Sequence, residues 1–136
     1  MAAESKHLSE WIDADVDDVY AYAREPANLP HWAPGLGSAV EQVDGQWLVQ
    51  TSGGRVGLDF APLNDYGVLD HNVTLPSGEV IYNPMRVTRA GDGSEVVFAL
   101  RRLPGMTDDE FARDAAAVAA DLARLKEVVE ARRQAT

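Results

Sequence analysis

The stretch from Thr107 to Arg133 constrains the chain most. Phe111, Ala115, Val118, Leu122, Leu125 and Val129 recur at steps of four and three, which places them in one stripe along a single helix. Thr107 is a good N-cap, and Glu110 three residues on completes a capping box. Asp108, Asp109 and Glu110 put negative charge at the positive end of the helix dipole, while Lys126, Arg132 and Arg133 put positive charge at the other. Such a helix is about 40 Å long at 1.5 Å per residue. It must lie across something broad and apolar, and the strands before it are the only candidate.

Those strands follow from alternation. Lys6 to Ile12 alternates, with Leu8, Glu10 and Ile12 on one side. Asp13 or Asp15 then caps a short helix carrying Val16, Val19, Tyr20 and Ala23. A second short helix is predicted over Ala27 to Trp32, closed by Pro34 and Gly35. From Ser38 onward, turn signals arrive at Asp44-Gly45, Gly53-Gly54, Asn64-Asp65, Ser77-Gly78 and Gly91-Asp92-Gly93. Between them lie Ser38 to Val43, Gln46 to Ser52, Arg55 to Pro62, Gly67 to Leu75, Val80 to Arg89 and Ser94 to Leu103. Each has strand length and strand composition, and tight turns between them make an antiparallel meander. With the first strand, seven strands form a curved antiparallel sheet that wraps the long helix, an α+β architecture. At this length one domain, residues 1–136, is expected.

Composition excludes several functions. The net charge of −10 argues against nucleic acid, which needs a basic face. No apolar run is long enough to span a membrane. The opening MAAESKHLSE lacks a signal-peptide pattern, and the absence of cysteine fits a cytoplasmic protein. His7, His31 and His71 carry no metal-ligand spacing, so no metal is expected. There is no cysteine nucleophile, no His-Glu-x-x-His and no phosphate-cradling loop, and no cofactor is implied.

Parity assigns the inward faces. Val96, Phe98, Leu100 and Arg102 share one; Leu69, His71, Val73 and Leu75 another; Val56, Leu58 and Phe60 a third. Asp59 and Asp70 fall outward, against a paired-carboxylate site. His71 and Arg102 are therefore the polar residues on inward faces. An inward Arg102 needs an acid, water or a polar ligand, unless it snorkels to the rim or pairs with Glu10. His71 is either a core histidine bonded to a carbonyl or a group for acid–base work. Ala112, Ala115, Ala116, Ala117, Ala119, Ala120 and Ala123 make the long helix thin. That thinness leaves a cavity, packs close, or reflects helix propensity alone. Trp32, in the proline-bounded loop, is a gate, a stacking platform or a core plug. Asn83, before Pro84, marks an edge or bulge beside the pocket.

The order of strand, two short helices, six strands and long helix resembles the helix-grip fold of the START, birch-pollen-allergen and polyketide-cyclase superfamily (SRPBCC). The likeness is carried by Ile12-Asp13-Ala14 leading to Val19-Tyr20, and by Glu25-Pro26-Ala27-Asn28-Leu29-Pro30 with Trp32. It continues in Gly67-Val68-Leu69-Asp70-His71, Asn83-Pro84-Met85-Arg86-Val87 and Leu103-Pro104-Gly105-Met106. It covers nearly the whole chain and looks most like bacterial polyketide cyclase-like members. The resemblance implies a cavity between helix and sheet, open near the short helices, for an apolar or aromatic small molecule such as a lipid or polyketide. The superfamily mixes binders, carriers and enzymes, so catalysis does not follow. Aromatase/cyclase members are described as using a pocket arginine, and Arg102 is the residue that carries over. The expected ligand-binding set is Trp32, Phe60, Leu69, His71, Asn83, Phe98, Leu100, Arg102, Val118 and Leu122, with His71 and Arg102 the catalytic candidates. Three functions follow: a binder of a hydrophobic small molecule, a cyclase or dehydratase, or a closed-core interaction module.

Overall fold

The computed structural model describes residues 4–33, 39–51 and 53–134. The predicted closure at Pro34 and Gly35 lies outside them, as do Ser38 and Ser52. The elements in order are β1 (Ser5–Ile12), α1 (Val16–Ala23), a 3-10 turn (Pro26–Asn28) and α2 (Leu29–Trp32). Then come β2 (Ala39–Val43), β3 (Gln46–Thr51), β4 (Gly54–Phe60), β5 (His71–Thr74), β6 (Val80–Asn83), β7 (Met85–Ala90), β8 (Gly93–Arg101) and α3 (Asp108–Gln134).

The strands number eight among the described residues, in two hydrogen-bonded sets ordered β2-β3-β4-β5-β6 and β1-β8-β7, all pairs antiparallel. The predicted strand Val80 to Arg89 is divided at Pro84. Proline has no N–H for the ladder and ends one pairing before the next begins. The flanking strand bends with it. Gly67 to Leu75 pairs regularly only from His71, while Leu69 N–H donates to Met85 O (2.8 Å) and Val87 N–H to Gly67 O (2.9 Å). Gly67 has φ +70°, and a Cβ there would stand 2.1 Å from Val87 O. Only glycine lets the two backbones meet this closely. The two sets thus join at a corner and form one curved surface.

Asp70 holds that corner. It faces away from His71, as parity requires, yet it is buried. Its oxygens accept from Met85 N–H (2.9 Å), Arg86 Nε (3.0 Å), Arg86 Nη2 (2.9 Å) and the Tyr82 hydroxyl. The Arg86 guanidinium holds the carboxyl well below the usual carboxylate range. Tyr82 and the Met85 N–H pull the same way, against the opposing effect of burial.

α3 begins as the capping box predicts: Thr107 N–H donates to Glu110 Oε1 (2.9 Å), and Glu110 N–H to Thr107 Oγ1 (3.1 Å). Its C-terminal half is tied to the far end of β1. Lys126 Nζ donates to Trp11 O (3.0 Å), Asp13 N–H to Glu130 Oε2 (2.8 Å), and Arg133 Nη1 to Asp13 Oδ1 (2.6 Å). Asp13 is therefore an anchor for α3. Asp15 occupies the N-cap position of α1 but makes no side-chain cap hydrogen bond. Of the predicted stripe, Phe111, Ala115, Leu122, Leu125 and Val129 are buried and Val118 is half-buried. Leu122, Leu125 and Val129 join Ile12, Val19, Leu69, Met85 and Val96 in the core. Of the eight α3 alanines, Ala115 is buried and the other seven are exposed. Their abundance thus serves helix propensity on an outer face more than thinness toward the sheet.

Candidate functional site

Two adjoining spaces lie between α3 and the sheet. The outer one is a cleft of about 490 Å3. The sheet supplies Val73, Val80, Ile81, Tyr82, Asn83, Phe98, Leu100 and Arg101, the following turn Arg102 and Leu103, and the helix Asp114, Ala117, Val118 and Asp121. The inner one, about 40 Å3, reaches from Leu29 and Trp32 on α2 to Leu58, Phe60, His71, Met85 and Phe98, with Val118, Asp121 and Leu122 closing it. Phe98, Val118 and Asp121 are walls of both. The pairing registers explain the inner wall: Phe60 stands opposite His71, His71 opposite Asn83, and Met85 opposite Phe98. Residues directly opposite on antiparallel strands show side chains to the same face.

The predicted set divides between these spaces. Trp32, Phe60, His71, Phe98, Val118 and Leu122 line the inner pocket, and Asn83, Phe98, Leu100, Arg102 and Val118 line the cleft. Leu69 lies 1% exposed in the core, and neither space includes it. It sits where the strand is irregular, so parity carried its side chain to the right face but not to the pocket.

His71 is 7% exposed, its ring centroid 5.3 Å from that of Phe60 and 5.9 Å from that of Phe98. Nδ1 lies 3.0 Å from Leu69 O. A carbonyl only accepts, so Nδ1 bears the proton in the neutral ring and Nε2 is an acceptor. Burial pushes the imidazole below its usual range, against the raising effects of the Leu69 carbonyl and Asp70. Trp32 is 6% exposed, and its buried indole N–H has no acceptor among the described residues.

Arg102 does not pair with Glu10. Its Nη1 meets Glu4 (3.1 Å) and Asp108 (2.6 Å), while Nε (3.2 Å) and Nη2 (2.8 Å) donate to Met106 O. The guanidinium also stands 5.9 Å from the Phe111 ring. It clamps the turn that launches α3, with its side chain 29% exposed at the rim. Among the lining residues that sequence reasoning missed are two acids of α3, Asp114 and Asp121. The signal was present: they are seven residues apart, two helical turns, beside the stripe that carries Val118.

No protein-family model matches the sequence, and no curated protein matches it significantly. Solved structures do match. The Aha1 dimer from Colwellia psychrerythraea aligns with a TM-score of 0.74 at 15% identity, covering 93% of this chain and 96% of that one. CalU16 from Micromonospora echinospora aligns at 0.64 and 15%, covering 93% and 74%. A norcoclaurine synthase point mutant from Thalictrum flavum, solved with a transition-state analogue, aligns at 0.64 and 14%, covering 98% and 99%. At these identities the likeness establishes architecture. The chain has the helix-grip fold, antiparallel strands curved around a long C-terminal helix, as the sequence resemblance implied. Among the described residues no helix is long and apolar enough to cross a membrane.

Proposed function

We propose that this chain binds an apolar or aromatic small molecule, lipid-like or polyketide-like, between α3 and the sheet. The observation that carries the reading is the cleft of about 490 Å3, within the range of small-molecule sites. Its apolar walls lead to an inner pocket with few polar groups. The norcoclaurine synthase structure, solved with a transition-state analogue, supports a fold that accommodates small organic guests.

The cyclase or dehydratase reading has less support. It requires His71 and Arg102 on one substrate carbonyl. His71 lines the inner pocket and Arg102 the cleft, and the guanidinium is committed to Glu4, Asp108 and Met106 O. The closed-core reading conflicts with the cleft itself.

Protein purified from cells under non-denaturing conditions, then extracted with solvent and analysed by mass spectrometry, is expected to release an apolar compound. Tryptophan emission is expected to respond to long-chain lipids or polycyclic aromatics, since Trp32 lines the inner pocket. Empty extracts together with unchanged emission across both ligand classes would overturn the proposal.

A further inference from the structure

Trp32 and His71 set an unusual condition on any guest. A buried donor without an acceptor is costly, and such groups ordinarily find a partner. Trp32 carries such a donor in a residue that lines the inner pocket. His71 lines the same pocket. Its Nδ1 proton is taken by Leu69 O, so Nε2 remains as an acceptor. Both residues line a largely apolar space of about 40 Å3, which has room for one small polar group and little more.

We propose that the guest carries a neutral hydroxyl at one end of an apolar body, and that this hydroxyl occupies the inner pocket, accepting from the Trp32 indole N–H and donating to His71 Nε2. A hydroxyl is the small group that both donates and accepts. A carboxylate head accepts only, so it leaves His71 Nε2 unsatisfied and carries a charge into a largely apolar pocket. A pure hydrocarbon leaves both pocket groups unsatisfied. The body lies in the outer cleft, with Phe98 and Val118 shifting at the junction. The inference rests on the reading of the cleft as a ligand site and adds the head group to it.

The test compares para-pentylphenol, pentylbenzene and para-pentylbenzoate, titrated into the full chain and followed by the indole N–H resonances in proton–nitrogen NMR. Trp32→Phe assigns the Trp32 signal. The phenol is expected to bind about tenfold more tightly than pentylbenzene, the worth of one satisfied hydrogen bond. It is expected to move the Trp32 resonance downfield, with the benzoate weakest. That preference is expected to fall to near unity in Trp32→Phe and, separately, in His71→Phe, which keeps the assay informative if one variant folds poorly. Equal affinity for all three probes, or preference for the benzoate, overturns the head-group inference and leaves the binding site standing. Absence of binding by every probe overturns both.

Discussion

The Asp70 corner allows a worked perturbation. Four donors converge on its carboxylate: Arg86 Nε and Nη2, the Met85 N–H and the Tyr82 hydroxyl. Asp70→Asn keeps the shape but removes the charge. One oxygen still serves the Met85 N–H and Arg86 Nε, while the new amide nitrogen meets Arg86 Nη2, donor against donor. Hydrogen bonds to a charged group contribute about 1.5–3 kcal/mol each when buried. Arg86 has a side chain 53% exposed, so water recovers most of its share. The expected loss is about 1–2 kcal/mol, or roughly 4–8 °C in Tm. Asp70→Ala also strands the Met85 N–H, in a residue only 1% exposed, and is expected to cost a further 1–3 kcal/mol or so. The pH dependence has a definite sign. The folded carboxyl titrates below its unfolded value of about 4, so its contribution is complete above that pH and is lost as pH falls below it. Urea unfolding followed by circular dichroism at pH 7 and pH 3 should show the gap between wild type and Asp70→Asn narrowing at the lower pH. A penalty equal at both pH values, or Asp70→Ala no worse than Asp70→Asn, would refute the reasoning.

Arg102→Ala is expected to lower Tm, because the turn before α3 loses its clamp, while leaving the affinity of cleft ligands within about twofold. A large loss of affinity in a titration monitored by tryptophan emission would restore Arg102 to the binding site. His71 titrates below its unfolded value of about 6.5, so the folded state is favoured above that pH and loses stability as pH falls through it. His71→Phe is expected to flatten the stability profile between pH 7 and 5, and an unchanged slope would mean that the imidazole is protonated without cost.

The helix and the faces of the strands were legible in the sequence. The capping box, the charge at both ends and the stripe from Phe111 to Val129 are local, and the structure reproduces them. Parity likewise put Val96 and Phe98, Val56 and Leu58, and His71 on the inner surface, because strand periodicity is a property of neighbouring residues. Arg102 had two readings for the opposite reason. It lies just past the strand, where alternation no longer applies, and of its partners Asp108 lies across a turn and Glu4 98 positions away, which no local pattern reports. Pro84 announced a break, yet the buried carboxylate that holds the resulting corner sits on an outward position. The alanines of α3 had three readings until the fold showed that most face solvent.

The sequence alone determined an antiparallel meander ending in one capped, amphipathic helix, since backbone propensity and periodicity act over a few residues. Tertiary structure decided where that helix stands off the sheet, which polar groups are spent on the scaffold, and which remain beside a space. Those outcomes depend on side chains from distant segments meeting in three dimensions, where exclusion of water sets the cost of leaving a donor without a partner.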